Sequence, residues 1–397
     1  MGGTGASGVA ASAAAARRVV HAPVGGSDVD ALEEQMRRAL ELAERGWGRV
    51  SPNPMVGAVV VSEHGDVLGE GWHEGPGTRH AEAMALEQAG AAARGATVVT
   101  TLEPCDRQGR TPPCTRALIA AGVSRVVVGA IDPHLGEGAP GLAELRSAGI
   151  AVESGVLEVE ARRLNEAFEH HVATGLPFVV MKSAASLDGK TAAVDGTSRW
   201  ITSEDARSDV QRLRAWSDAI LVGSRTVAED DPALTVRDPR FAGARPPLRV
   251  AVDSGGRLPP VGRLFDGSAP TLIATTDRTD ELRVAGWQTA GAEVVVLDRD
   301  ADDGVSLRKL LELLGARQVQ GVLVEAGANL AWALLRDDLV DRIVLYLAPK
   351  VLGGAAAPGV VDGRGFSPVG EALPLAFERV ERIGPDLKVE AHVHRDR

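Results

Sequence analysis

Positive charge is what this chain is short of: Asp and Glu outnumber Lys and Arg by 54 to 43 over 397 residues, for a formal charge of -11. The basic footprint with which a nucleic-acid binder displaces counterions from phosphates is missing, so DNA and RNA are not expected partners. A few local arginines can still hold a small anionic substrate. Long apolar runs are missing as well. No uninterrupted run approaches the roughly eighteen residues of a membrane span, which argues against a transmembrane helix. Residues 1–27, rich in Ala, Gly and Ser, hold little that could form a packed core and are expected to be disordered. Pro23, Gly25 and Gly26 interrupt the stretch after Arg17-Arg18, so no export signal with an apolar core and cleavage pattern is expected. No repeat relates the two halves of the chain.

Cysteine is scarcer still, with Cys105 and Cys114 the only two. A disulfide framework is therefore excluded, and a reducing cytoplasm is the natural compartment if both sulfurs work as thiolates. The segment His80-Ala81-Glu82 lies upstream of Pro104-Cys105 and Cys114. One imidazole and two thiolates make three zinc ligands and leave the fourth tetrahedral position for water, whereas a structural zinc usually has four protein ligands. Bound zinc lowers the pKa of that water from roughly 15.7 toward about 7. Glu82, two residues from the histidine, is the candidate proton shuttle, as in the H-x-E and P-C-x-x-C signature of zinc nucleobase deaminases. A structural Cys/His site would need a fourth ligand, for which His73 is the nearest spare histidine, and would leave Glu82 without a purpose.

Apolar periodicity places a helix from Ser27 or Asp28 to Gly46, with strands over 56–61, 67–72, 97–102 and 125–131 and helices opening at His80 and Thr115. Two helix starts would then meet at the metal and help hold the thiolates as anions. A polar helix over 159–172 ends at Gly175-Leu176-Pro177, where a domain boundary is placed. Beyond it, strand-like runs at 178–184, 219–223, 248–253, 271–275, 293–297, 321–325 and 342–347 alternate with helical segments such as 204–215 and 306–316. Both halves read as α/β layers, the second large enough to fold alone.

The remaining candidates carry weaker local signals. Asn53, in Ser51-Pro52-Asn53-Pro54, reads either as a contact to a pyrimidine edge or as an ordinary turn residue. His73 reads equally as pocket or surface. Gly136-x-Gly138-x-x-Gly141 matches the dinucleotide fingerprint in letters only: four residues separate it from its strand, and Pro140 removes an N–H from the turn. Val324-Glu325-Ala326-Gly327-Ala328-Asn329-Leu330 is the better phosphate candidate, a strand running through a small-residue turn into a helix. Arg214 and Arg237 are candidate phosphate clamps or ordinary solvated arginines. His170-His171 reads as surface on the polar helix.

Over residues 28 to about 394 the chain resembles the family of bifunctional riboflavin-biosynthesis deaminase-reductases. The resemblance rests on Pro52-Asn53-Pro54-Met55-Val56-Gly57, His80-Ala81-Glu82, Thr101-Leu102-Glu103-Pro104-Cys105 and Thr111-Pro112-Pro113-Cys114. In the second half it rests on Lys182-x-x-x-Ser186-Leu187-Asp188-Gly189, Trp200-Ile201-Thr202-Ser203, Asp230-Asp231-Pro232-x-Leu234-Thr235 and Ala348-Pro349-Lys350. It implies a cytidine-deaminase-like three-layer α/β/α domain over 28–174 and a dihydrofolate-reductase-like α/β domain over 175–397. It implies zinc and NADPH as cofactors, a small phosphorylated pyrimidine as substrate, and a homo-oligomer. The implied reactions are hydrolytic deamination of 2,5-diamino-6-(5-phosphoribosylamino)pyrimidin-4-one, then NADPH-dependent reduction of the ribosyl chain.

Carried over by position, the resemblance puts Asn53 and His73 in the pyrimidine pocket and Lys182, Ser198, Arg214, Leu234, Arg237 and Glu325 near the reductase substrate. It puts Ala184, Trp200, Thr226, Asp230, Ser254, Gly327, Ala328 and Asn329 against NADPH. The chain departs from the family pattern at Asp106-Arg107, where Ser-His is usual, and at His134, where Asn is usual. Arg107 and Arg110 are expected on the substrate phosphate, with His134 taking over a polar contact. The alternative is an active reductase whose deaminase specificity is altered or lost.

Overall fold

The structure is a computed structural model, and it describes residues 26–109, 112–135 and 138–393. The expected disorder of residues 1–27 falls mostly outside them; Gly26 and Ser27 instead belong to the first helix, α1 (Gly26–Ala43). The helix therefore starts ahead of its predicted caps.

The first half continues with β1 (Gly57–Val61), β2 (Val67–Trp72), α2 (Ala81–Ala89), β3 (Thr97–Leu102), α3 (Cys114–Ala121), β4 (Arg125–Ala130), α4 (Pro140–Ser147) and β5 (Ala151–Ser154). Its strands form one sheet in the order β2-β1-β3-β4-β5, antiparallel at β2-β1-β3 and parallel from β3 onward. Alternation along β1 sorts the layers. Ala58 and Val60 pack with Ala81 and Ala85 of α2 and Leu118 of α3, while Val59 and Val61 pack with Met36, Ala39 and Leu42 of α1. Gly71 lets α2 lie against β2, since a Cβ there would sit 2.2 Å from the Ala81 carbonyl oxygen. That close approach fixes the helix start bearing His80 and Glu82.

The polar helix predicted over 159–172 is two helices, α5 (Glu158–Leu164) and α6 (Glu166–Thr174), broken at Asn165. Asn165 is buried, and its amide bonds the backbone of Met55. His170, expected on the surface, is largely covered, with its ring edge-on to Phe178 at 5.7 Å.

The second half comprises β6 (Phe178–Ser186), α7 (Glu204–Trp216), β7 (Ala219–Gly223), α8 (Ser224–Asp230), β8 (Leu248–Val252), β9 (Thr271–Thr275), α9 (Glu281–Thr289), β10 (Glu293–Val296), α10 (Leu307–Ala316), β11 (Gly321–Val324), α11 (Ala328–Arg336), β12 (Arg342–Ala348), β13 (Leu375–Ile383) and β14 (Asp386–Val393). They build a nine-stranded sheet in the order β10-β9-β8-β7-β11-β6-β12-β14-β13, parallel from β10 to β12 and antiparallel over β12-β14-β13. One face packs on α10 and α11 through Leu310, Leu314 and Leu334, the other on α7 and α9 through Val210 and Trp287. The β13–β14 hairpin has no counterpart among the predicted strands.

Residues 47–53 are one place where the two halves touch, and α5 and α6 are another, through Arg163 with Glu378 and Glu390 and through Glu166 with Arg342. Trp47 Nε1 donates to the Arg212 carbonyl at 3.2 Å, Arg49 to the Ala242 carbonyl at 2.7 Å, and Gln320 Nε2 to the Pro52 carbonyl at 2.7 Å.

Candidate functional site

The parallel strands β3 and β4 end side by side, and the loops that leave them carry the first site. His80 is the extended N-cap of α2, and Cys114 opens α3. The loop after β3 brings Cys105 back to that second helix start, where the Cys114 N–H donates to Cys105 Sγ at 3.4 Å and the Thr115 N–H to the Cys105 carbonyl at 3.2 Å. His80 Nδ1 lies 3.2 Å from Cys114 Sγ and 3.6 Å from Cys105 Sγ. All three ligand atoms fall within 4.8 Å of one another. One imidazole nitrogen and two sulfurs at that spacing suit zinc.

Electrostatics support the same assignment. Contact with Cys114, against the cost of burial and with help from His80, holds the Cys105 thiol down to about 4. The same contact, together with burial, pushes the Cys114 thiol up. A divalent cation is the partner that lets both sulfurs ionise together. Glu82 is buried, with Oε2 3.4 Å from Cys114 Sγ, and burial raises its pKa against the opposing pull of His80. A carboxylate so placed can accept a proton and give it back.

His73 is buried, so the surface reading fails. Its Nδ1 faces the Arg79 carbonyl at 3.3 Å and carries the hydrogen; Nε2 then accepts from Asn53 Nδ2 at 2.9 Å. Burial lowers its pKa and keeps the ring neutral. Its ring stands edge-on to His80 at 5.5 Å. Asn53 is thereby oriented, its Oδ1 left as the amide atom that His73 does not engage.

The altered positions sit beside this cluster. Arg107 donates to the Leu135 carbonyl, and its side chain is 61% exposed. His134 is exposed, with its N–H bonded to Asp132 Oδ1 at 2.8 Å. Arg110 lies outside the described residues. Glu103, Asp132 and Asn165 also shape the site, with no chemical motif of their own in the sequence. Buried Glu103 takes the Gly141 N–H at 2.9 Å, which ties α4 to the cysteine loop, and buried Asp132 shapes the turn carrying His134. For Glu103 the signal was its place inside Thr-Leu-Glu-Pro-Cys.

The second site lies at the carboxyl ends of the parallel strands, where open α/β sheets bind ligands. Lys182 on β6 and Glu325 after β11 approach to 3.8 Å. Arg214 of α7 forks onto both Glu325 oxygens at 2.6 and 3.0 Å and donates to the Thr235 carbonyl at 3.2 Å. Burial opposes a charge on Glu325, but Arg214 and then Lys182 outweigh it and hold the carboxyl at about 2. Burial lowers the Lys182 pKa against the pull of Glu325. The expected arginine pair is thus unequal: Arg214 is buried and committed to Glu325, while Arg237 is exposed. Leu234 is buried in a left-handed backbone conformation (φ 48°).

The proposed dinucleotide contacts share that rim. Gly327 caps α11 in extended conformation, no side chain caps that helix, and a Cβ on Gly327 would stand 3.2 Å from Thr226 Oγ1. An uncapped helix start with a bare glycine before it fits a phosphate. Ala328 and Asn329 form its first turn, and Ser254, just past β8, accepts the Val305 N–H at 3.1 Å. Trp200 is 64% exposed, with Arg207 over its ring at 4.4 Å, and its carbonyl is held by Lys350 Nζ at 2.9 Å. Arg199 joins that loop to the Asp230 carbonyl at 2.8 Å. Ala184 pairs with Tyr346 across β6 and β12, and Ser198 is half-buried in the same loop as Trp200.

Residues 29–130 match the cytidine and deoxycytidylate deaminase zinc-binding region, and residues 177–389 match the RibD C-terminal domain. The riboflavin biosynthesis protein RibD of Escherichia coli (strain K12) is 42% identical over 365 residues, covering 89% of this chain and 97% of that protein. Its counterpart in Bacillus amyloliquefaciens is 39% identical over 360 residues, covering 90% and 95%. Among solved structures, Acinetobacter baumannii RibD aligns with a TM-score of 0.81 at 36% identity, over 92% of this chain and 100% of that one. A Thermotoga maritima diaminohydroxyphosphoribosylaminopyrimidine deaminase/5-amino-6-(5-phosphoribosylamino)uracil reductase gives the same TM-score, identity and coverage.

Proposed function

This chain belongs to the RibD family of bifunctional riboflavin-biosynthesis enzymes, and from that membership we propose which residues carry each of its two reactions. The protein is a deaminase and a reductase: a cytidine-deaminase-like domain with a zinc site, followed by a dihydrofolate-reductase-like domain that uses NADPH. We assign residues 28–174 to the first domain and 175–397 to the second.

The observation that carries the deaminase assignment is the convergence of His80, Cys105 and Cys114 beside buried Glu82. Zinc on those three ligands supplies an activated water. Beside it, Glu82 would accept the proton given up as oxygen is added at the pyrimidine carbon bearing the 2-amino group. The same carboxyl delivers the proton to the departing nitrogen, and ammonia leaves as the carbonyl forms. Asn53, oriented by neutral His73, holds the pyrimidine edge. Arg107, Arg110 and His134 serve recognition of the phosphorylated sugar and base.

In the second domain NADPH supplies the hydride. The chain's residues bind and align. Gly327, Ala328 and Asn329 take a cofactor phosphate at the start of α11, with Thr226, Asp230, Ser254, Trp200 and Ala184 along the same rim. Lys182, Ser198, Leu234 and Arg237 face the phosphoribosyl group. Glu325, itself fixed by Arg214, holds the Lys182 ammonium in place. That ammonium would give its proton to the sugar oxygen freed when the ribosyl carbon is reduced.

A cytoplasmic homo-oligomer acting without nucleic acid completes the reading. Thiolate ligands favour a reducing compartment, and exposed Phe377 and Val380 on edge strand β13 suit a second copy. Light scattering of the purified protein gives the mass. The function is tested by supplying the diamino substrate without NADPH: ammonia is released stoichiometrically, and NADPH is consumed only once deaminated product is present. Zinc-loaded protein that releases no ammonia would instead be a reductase with a deaminase domain of altered specificity.

A further inference from the structure

The turn that carries Asn53 is held from both sides, and one of the holders belongs to the other domain. On one side the buried Asn165 amide bonds the Met55 backbone at 2.7 and 2.9 Å. On the other, Gln320 reaches across from the residue before β11 and donates Nε2 to the Pro52 carbonyl at 2.7 Å. Gln320 is itself fixed: it is buried, its N–H donates to Asp218 Oδ2 at 2.7 Å, and its carbonyl accepts the Phe178 N–H at 2.7 Å. Asp218 is in turn paired with Arg245, whose N–H donates to the Gly48 carbonyl at 2.9 Å. The donor therefore comes from a rigid strand end.

The turn is also held locally, by the Asn53 N–H to the Val50 carbonyl at 2.8 Å and by Asn53 Nδ2 on His73 at 2.9 Å. A cavity of about 60 Å³ lies between the domains, lined by Ser51, Asn53, Asn165, Asp218 and Gln320 among others. That space leaves the turn room to adjust when a restraining bond is lost. Asn53 is the residue next to Pro52, and its amide must hold both His73 and the pyrimidine edge.

We propose that Gln320, a reductase-domain residue, is a positioning residue for the deaminase: by fixing the Pro52 carbonyl it sets Asn53 against the pyrimidine. Recognition in the first site thus depends on a hydrogen bond donated by the second domain. The same strand end leads through β11 to Glu325 in the reductase site, but the Gln320 side chain points the other way, into the deaminase turn. The proposal rests on the reading of Asn53 as a pyrimidine contact.

The test uses full-length, zinc-loaded protein and follows ammonia release without NADPH for the parent, Asn53→Ala, Gln320→Met and Gln320→Glu. Methionine keeps the volume and an ionised glutamate keeps the shape, and neither donates to the Pro52 carbonyl. Zinc content and reduction of the deaminated substrate are measured alongside. Both Gln320 variants should raise the deaminase KM roughly three- to tenfold, the loss expected for one hydrogen bond, with kcat, zinc content and reductase turnover near parental. An unchanged KM in both, with Asn53→Ala raising it, overturns the proposal. If Asn53→Ala leaves KM and kcat unchanged, the Asn53 reading fails and the proposal with it. Loss of zinc or of reductase turnover in both Gln320 variants also overturns it, by showing an architectural role only.

Discussion

Asn165 and Met55, 110 residues apart in sequence, are joined by two hydrogen bonds, the Met55 N–H to Asn165 Oδ1 and Asn165 Nδ2 to the Met55 carbonyl. Both partners are buried, so neither backbone group can turn to water when the amide is removed. Asn165→Ala should therefore cost more than an ordinary lost hydrogen bond, roughly 2 to 4 kcal/mol. Urea unfolding with zinc present reads the loss directly. Asn165→Asp keeps the acceptor for the Met55 N–H but sets a carboxylate against the Met55 carbonyl, and should recover little of it.

Glu82 is expected to divide the two activities. Glu82→Gln keeps the shape beside Cys114 and removes the proton carrier, so ammonia release should fall by about 100- to 10,000-fold. Zinc stoichiometry should hold, because Glu82 is not a ligand. NADPH oxidation with the already deaminated substrate should proceed at the parental rate; a parallel loss there would show that the variant damages the fold.

Removing the metal should give a related but distinct pattern. A chelator strong enough to strip zinc should abolish deamination, lower the thermal midpoint of the first domain, and spare reduction of deaminated substrate. Stoichiometric zinc should restore ammonia release. His80→Ala should bind zinc poorly and resist that rescue, since two thiolates alone do not complete the site.

Glu325 gives the acid-side prediction. Its carboxyl is held at about 2 against an ordinary value of 4.5. A depressed carboxylate contributes its stability in full above the unfolded value, and loses it as pH falls through the folded one. The stability gap between parent and Glu325→Gln should thus be constant above about pH 4.5 and shrink toward pH 2. Its plateau should be about 3 kcal/mol, the size of the shift converted to energy. A gap that widened toward low pH would contradict the assignment of Arg214 and Lys182 as its partners. Guanidinium unfolding of the zinc-free proteins, measured across that window, keeps the metal out of the comparison.

The zinc cluster was legible because its chemistry is local: His80 and Glu82 lie two residues apart, and each cysteine sits at the edge of a recognisable element. The parallel strands of both sheets were legible for the same reason, as short apolar runs between turns. The break at Asn165 was not, because the helical pattern runs straight through it and its cause is the distant Met55 backbone. The β13–β14 hairpin was hidden by its own charge. Lys388 and Glu390 face inward along β14, where Lys388 Nζ meets Asp209 at 2.8 Å and Glu390 at 2.9 Å. Buried ion pairs of this kind erase the apolar alternation by which a strand is recognised. Gln320 carried no signal either, since its partner is a proline carbonyl in the other domain.

Gly141 links the glycine pattern set aside in the sequence to the metal. A Cβ there would sit 2.2 Å from the Pro104 carbonyl oxygen and 3.1 Å from Glu103 Oε1. Pro104 precedes the ligand Cys105, and Glu103 holds the Gly141 N–H, so the added methyl pushes on the loop that presents the sulfur. Gly141 is not in a left-handed conformation, and helix α4 would tolerate alanine on backbone grounds alone. The cost of Gly141→Ala is then a packing cost of about 1 to 3 kcal/mol, delivered to the Pro104–Cys105 segment. Zinc affinity and ammonia release should fall together in this variant, while NADPH oxidation with deaminated substrate stays parental. A competition titration against a chromogenic chelator separates this from simple destabilisation: weaker zinc binding at a temperature well below the thermal midpoint supports strain on the ligand loop, and parental affinity there refutes it.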